Sequence, residues 1–364
     1  MTAKVQLFCV LSKNFCFSFP VRSVCSNFAA EMRKVIDFLK NWTLPSAIVA
    51  GTVIYLIFYW VQALDPISEA MAPIFDAILP LFMSLILFTT FLRVDFHKMR
   101  PAMWHLWVSV FQVGLVALLV ALILGFDMQG RDLILMEGIL TCVICPGASA
   151  APVVTGKLGG NLETMTSYVF LSNLVTVVAV PVVFPLIDKG VDINFWTAFW
   201  MIMYKVFLVL VLPLIAAYLV KHYLPRLQQR LVAIQDLSFY MWGVSLTIVT
   251  GCTVKNIINS GAPLVFLLTI AVVSLLICLA QFAVGRYIGH FFGTVIESGQ
   301  GLGQKNTAFA VWIAYTYLSP LSVAGPGCYI LWQNAINSLE IWHHRKQQER
   351  KALEEKTHDK TLSR

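Results

Sequence analysis

Charged side chains are scarce: they make up 12% of the 364 residues, where a soluble domain carries about 25%. With 58% of the residues hydrophobic, there is too little polar surface to cover a soluble core, and an ordinary globular class is excluded. Metal-ligand patterns are missing too. The histidines are scattered, and His97, His290, His343 and His344 sit at the edges of apolar runs. The eight cysteines suggest no disulfide framework. Cys142 and Cys145 form a C-x-x-C inside an apolar run, without a second pair or nearby histidines, which argues against zinc and for buried free thiols. No nucleophile–base pair appears within the apolar runs, so the chain does not read as an enzyme, and no cofactor or metal is expected.

What is present is membrane-length apolar sequence. A span needs about 20 mostly apolar residues. Windows of that size fall at 44–63, 71–93, 102–125, 132–157, 163–187, 195–220, 233–250, 263–285, 293–317 and 320–342. The fourth and ninth are interrupted.

Short loops rich in Lys and Arg are cytoplasmic. With ten spans and both termini inside, the cytoplasmic side takes Lys4, Lys13, Arg22, Arg33, Lys34, Lys40, Arg93, Lys98, Arg100, Lys157, Lys221, Arg226, Arg230, Arg286 and the tail from Arg345. The other side takes Arg131, Lys189 and Lys255. The net charge of +7 is therefore an orientation signal, and a nucleic-acid surface is not needed to explain it. This predicts an all-α, multi-pass protein of the cytoplasmic membrane with the lipid bilayer as its partner. Residues 1–40 read as a cytoplasmic extension. The native chain is expected to start at Met32, where Met-Arg-Lys precedes an amphipathic lead-in. Residues 41–192 and 193–343 form two five-span halves, and 344–364 a charged tail. Trp42, Trp60, Trp196 and Trp342 read as interface anchors.

Lys305 is the least expected residue. It lies in Gly301-Leu302-Gly303-Gln304-Lys305-Asn306-Thr307, between long apolar stretches. A lysine at membrane depth costs about 2.5–3.5 kcal/mol on insertion scales, and function is the usual reason to carry one. The fourth window holds Cys145-Pro146-Gly147-Ala148-Ser149-Ala150-Ala151-Pro152. Pro146 and Gly147 should end one half-helix, Ser149 should cap the next, and Pro152 suits its first turn. In the ninth window the break is expected between Gly299 and Gly303, with Gly301 and Gly303 as breakers and a new half-helix near Gln304. The breaks occupy the same place in each half. Five spans per half is odd, so the halves are inverted. Paired breaks of this kind point to a transporter site near the midplane, and half-helix N-termini favour anions.

These motifs resemble those of the bile acid:sodium symporter family, over roughly residues 41–343. The family's fourth helix reads C-P-G-G-T-A-S-N-V-V-T. Here the stretch from Cys145 reads C-P-G-A-S-A-A-P-V-V-T, ending at Thr155. The family's ninth helix reads E-x-G-x-Q-N, nearest here to Gly301 through Asn306. Leu79-Pro80 through Phe88-Thr89 to Asp95-Phe96 resembles its second helix, and Gln112 falls where it has a sodium-site glutamine. The resemblance implies broken helices four and nine that cross, mobile helices three to five and eight to ten, a steadier panel of one, two, six and seven, and an amphipathic or small organic anion as substrate. Ser149, Asn306 and Thr307 would contact it, with Lys205 as a further candidate.

The departures concern sodium. Family oxygens fall at Ala151, Pro152, Met165 and Val169. Its glutamate falls at Gly301 and its glutamine at Lys305, unless Glu297-Ser298-Gly299 supplies the E-x-G. Lys305 is thus expected to stand in for the ion, paired with Glu297, with oxygens of Ser149 or Thr155, or with helix-end carbonyls. Alternatively it titrates and couples a proton, or it is a permanently charged structural lysine. Gln304, Gln112 and Thr155 join it as candidate ion-coupling residues. Lys205 either attracts substrate or pairs with Asp236 or Glu137. The alternative reading of Glu137 places it near the headgroups. Ser172, Asn173, Thr176, Gln281, Gln333, Asn334 and Asn337 either face the crossing or bond between helices. The function classes left open are a secondary organic-anion transporter with altered or absent sodium coupling, a proton-coupled or sodium-independent exporter on the same fold, and a non-transporting receptor or sensor. Oligomeric state is not encoded in any pattern found.

Overall fold

The chain was analysed as a computed structural model that describes residues 43–61, 64–93, 100–187, 194–234 and 237–362. The N-terminal extension with Met32, and Asp95, Phe96, His97, Lys189 and Asp236, lie outside the described residues.

Apolar runs without water must satisfy their backbone internally, which favours helix. Among the described residues the secondary structure is helical, apart from one isolated bridge. The helices are α1 (Thr43–Trp60), α2 (Asp65–Arg93), α3 (Met103–Gly125), α4 (Gly130–Ile144), α5 (Ala151–Lys157), α6 (Leu162–Ile187), α7 (Phe195–Leu210), α8 (Leu212–Tyr223), α9 (Pro225–Ala233), α10 (Leu237–Asn259), α11 (Leu264–His290), α12 (Val295–Gly303), α13 (Thr307–Tyr317) and α14 (Ala324–Leu362). A 3-10 turn, Pro320–Val323, precedes α14. Met103–Gly125, Leu162–Ile187, Phe195–Tyr223 and Leu264–His290 are long and apolar enough to cross a membrane. Ser46–Trp60 and Ala77–Arg93 are shorter apolar helices.

Helices fall on the expected windows, with instructive differences. The sixth window is divided at Val211, because Pro213 opens α8 and has no N–H to continue the α7 ladder. α9 was not anticipated. It is short and lacks buried residues, and it is held by Gln228 Nε2 donating to the Leu92 carbonyl at 3.2 Å and by Arg93 donating to Ile234 O at 3.1 Å. The charged tail is no separate element in the backbone, since α14 runs through it to Leu362.

The largest apolar core joins α2, α3, α4, α6, α7 and α13, with Leu87, Phe91, Ile123, Leu140, Val180, Phe184 and Ile313 almost wholly buried. Further along, α11 packs on α12 and α14, and α2 packs on α8 and α10. Where α4 meets α14 the backbones nearly touch: a Cβ on Gly325 would lie 2.7 Å from Gly138 Cα. Small residues permit such close approach in membranes.

Candidate functional site

The two interrupted windows come together. The first break runs from Cys145 to Ala150, between α4 and α5, and the second from Gln304 to Asn306, between α12 and α13. Gly147 and Lys305 form an antiparallel bridge. Ala148 N donates to Gln304 O at 2.9 Å, and Asn306 N donates to Pro146 O at 2.9 Å. Each break thus satisfies backbone groups that the other leaves open. This is the condition for irregular backbone within apolar surroundings.

Side chains complete the accounting. Ser172 Oγ accepts from Gly147 N at 3.0 Å. Thr176 Oγ1 donates to Ile144 O at 3.0 Å. Gln112 Nε2 donates to Cys145 O at 3.1 Å. The Gln333 amide takes both backbone groups of Lys305: its Oε1 accepts from Lys305 N at 2.9 Å, and its Nε2 donates to Lys305 O at 3.2 Å. Tyr329 OH donates to Gly303 O at 2.7 Å and accepts from Gln281 Nε2 at 3.0 Å. Asn306 caps α13 by accepting from Phe309 N at 3.2 Å. Of the polar residues whose role was open, Ser172, Thr176 and Gln333 therefore serve the breaks and their flanking carbonyls directly, and Gln281 acts through Tyr329.

Two expectations about local structure need correction. The second break does not lie at Gly299–Gly303, because α12 is helical through Gly303. Those glycines serve close packing instead. A Cβ on Gly301 would lie 3.0 Å from Tyr168 ring carbons and 3.2 Å from Trp104. One on Gly303 would meet the Phe282 ring at 2.4 Å. Ser149 does not cap α5; Ala150 is the N-cap, and no side-chain cap bond forms. Pro152 does sit at the start of α5, as its missing N–H requires.

Lys305 is 1% exposed, and its Nζ has no hydrogen-bond partner among the described residues. It does not pair with Glu297, whose Oε1 accepts from Asn161 N in the α5–α6 loop. From Glu297 to the end of α12 is about 9 Å of helix rise. Thr155 Oγ1, buried near the same loop, has no partner either, and neither does Gln304 Oε1. Cys145 and Cys142, both buried free thiols, lie near the Lys305 ammonium. Lys205 does not pair with Glu137. It is exposed, with Nζ 5.5 Å from the Tyr317 ring centroid. Glu137 is buried rather than near headgroups: it accepts from Ser319 N at 3.2 Å and from Ser322 Oγ.

A narrow cleft opens on the paired breaks, with a cavity volume of about 40 Å³. One wall is apolar: Met83 and Ile86 of α2, Leu246 and Val249 of α10. The opposite wall carries Ser149, Gln304, Lys305, Asn306, Thr307, Gln333 and Asn334. The starts of α5 and α13 both border it. Ser149, Asn306 and Thr307 are brought together here; Lys205 does not line the cleft.

Residues 80–260 match the model of the Sodium Bile acid symporter family. The chain belongs to that family. It is therefore an integral membrane protein of a transporter family, not an enzyme family. The match takes in the first break and stops before the second. No curated protein matches the chain.

The family name raises the question of sodium. A hard cation needs several oxygen ligands, and the residues here do not fit one. Ala151, Met165 and Val169, at positions where the resemblance implies sodium ligands, pack with Trp104, Val108, Tyr168 and Leu302 in one buried apolar cluster. The two rings lie 5.1 Å apart between centroids and fill the space beside Gly301. Gln112 Oε1 is contacted by Tyr168 OH at 3.4 Å while its Nε2 serves the Ile144 and Cys145 carbonyls. Trp104 and Tyr168 were missed in the sequence because an aromatic in a span reads as lipid-facing or core. Only the absent glutamate at Gly301 signalled that something must fill that volume.

Proposed function

We propose that this chain is a secondary active transporter of organic anions, bile-acid-like or small carboxylates, with altered or absent sodium coupling. The observation that carries the reading is the pairing of two helix breaks beneath a cleft with one apolar and one polar wall. An amphipathic anion suits such walls, and two half-helix starts suit its charge. Ser149, Asn306 and Thr307 are the proposed contacts. Lys305 takes the role of the bound cation in bracing the crossing, next to Gln304, Gln112 and Gln333. Its lack of a protein partner also favours a second reading, in which the same fold couples a proton or exports without sodium.

Ten spans in two inverted halves, 41–192 and 193–343, are the proposed topology. The basic loops support cytoplasmic termini in the cytoplasmic membrane. Helices three to five and eight to ten would move against the others, exposing the cleft alternately to each side.

Thermal unfolding of purified protein across sodium concentrations, with choline at matched ionic strength, tests the ion assignment. A ligand of the folded state raises stability with its concentration. Wild type is expected to ignore sodium. A specific rise with sodium would restore ordinary symport and remove Lys305 from this role.

A further inference from the structure

Resting on the carrier reading, we infer that the protein is an obligate exchanger: an organic anion crosses only when another returns. The argument starts from the counter-charge that Lys305 lacks. Its Nζ is buried without a hydrogen-bond partner among the described residues. The carboxylate expected to pair with it, Glu297, does not do so, and neither does Glu137. Glu297 is bonded to Asn161 N, and Glu137 to Ser319 N and Ser322 Oγ. Glu340 pairs with Arg286 and accepts from Gln300 Nε2 at 3.0 Å. The buried free thiols of Cys142 and Cys145 lie near it and are neutral groups, not counter-charges.

In a symporter the cation arrives and leaves with the substrate, so the empty carrier returns uncharged. Here the cation is part of the chain and makes every transit. While the cleft is open, its water lies over the buried ammonium without touching it and offsets part of the cost of burial. When the cleft closes, the apolar face of Met83, Ile86, Leu246 and Val249 meets the Lys305 side and expels that water. An uncompensated ion in such surroundings costs several kcal/mol even after relaxation. A carboxylate or sulfonate held at Ser149, Asn306 and Thr307 restores the balance across the same wall. The loaded carrier therefore crosses readily and the empty one does not. No bond is made or broken; the anion acts as a removable counter-ion.

Two measurements test this. In proteoliposomes of the full chain, uptake of radiolabelled cholate, or of pyruvate as a small carboxylate, is compared between vesicles preloaded with the same unlabelled anion and vesicles without it. Wild type should take up at least about tenfold more into preloaded vesicles, and Lys305→Gln should bring the ratio towards one. Equal uptake into both by wild type overturns exchange, and so does a pH gradient that drives equal uptake into unloaded vesicles. An absence of uptake of either anion in every condition counts against the carrier reading itself.

The second measurement needs no substrate. A Ser149→Cys protein is treated with a membrane-impermeant cationic thiol reagent in right-side-out and inside-out vesicles, against the parent chain. Modification from one side alone is expected while the carrier is empty, and modification from both sides once Lys305→Gln is added. Modification from both sides with Lys305 intact overturns the inference.

Discussion

Gly147 and Lys305 stand opposite each other as an isolated antiparallel bridge, and each lies in a break that interrupts an apolar helix. The pairing makes the two breaks one unit. Gly147 also packs within 3.3 Å of Ser172 Oγ at its would-be Cβ, so that side of the bridge leaves no room for a larger residue.

The ring-filled volume beside Gly301 gives the first prediction. Gly301→Glu restores the residue the family resemblance implies, yet its Cβ would press on Tyr168 at 3.0 Å and Trp104 at 3.2 Å. Overpacking of this kind costs about 1–3 kcal/mol. Thermal unfolding in detergent should show the loss, with no sodium response gained.

Gln333 provides the second. Gln333→Leu leaves Lys305 N and Lys305 O without their side-chain partner. A buried group left unsatisfied costs about 1–3 kcal/mol. Denaturation should register that loss, and transport should fall with it, because the break loses its support.

Tyr329→Phe is the third. It removes the hydroxyl that donates to Gly303 O and accepts from Gln281, again for about 1–3 kcal/mol. Tyr329 does not line the cleft, so its effect should appear in unfolding more strongly than in substrate affinity.

The fourth concerns Glu297. Its carboxylate holds Asn161 N at the α5–α6 loop. A hydrogen bond to a charged group contributes about 1.5–3 kcal/mol. Glu297→Gln should lower stability by up to that amount and leave the sodium response of unfolding as it is in wild type. A change in sodium response would return Glu297 to the crossing.

Much of the helix layout was legible because apolar run length is set by membrane thickness, and the first break because Pro146 fixes its own backbone. The second break was misplaced by several residues. Glycine reads as a breaker in isolation, but Gly301 and Gly303 are small because Tyr168, Trp104 and Phe282 need the space. Those rings come from other helices, and no local pattern announces them. The same holds for Gln333, which lies 28 residues from the backbone groups it serves. Conversely, the Lys305–Glu297 pair was argued from charge alone. Helix rise and the competing Asn161 amide decide against it.

Gln333 sits in α14, which runs without interruption from Ala324 to Leu362. Through that one amide the break at Lys305 is bolted to a rod of about 58 Å, at 1.5 Å per residue. A rigid rod transmits displacement along its whole length. A grip on its distal turns is therefore a handle on Lys305, and a reporter attached there would register each stroke of the crossing without touching the cleft.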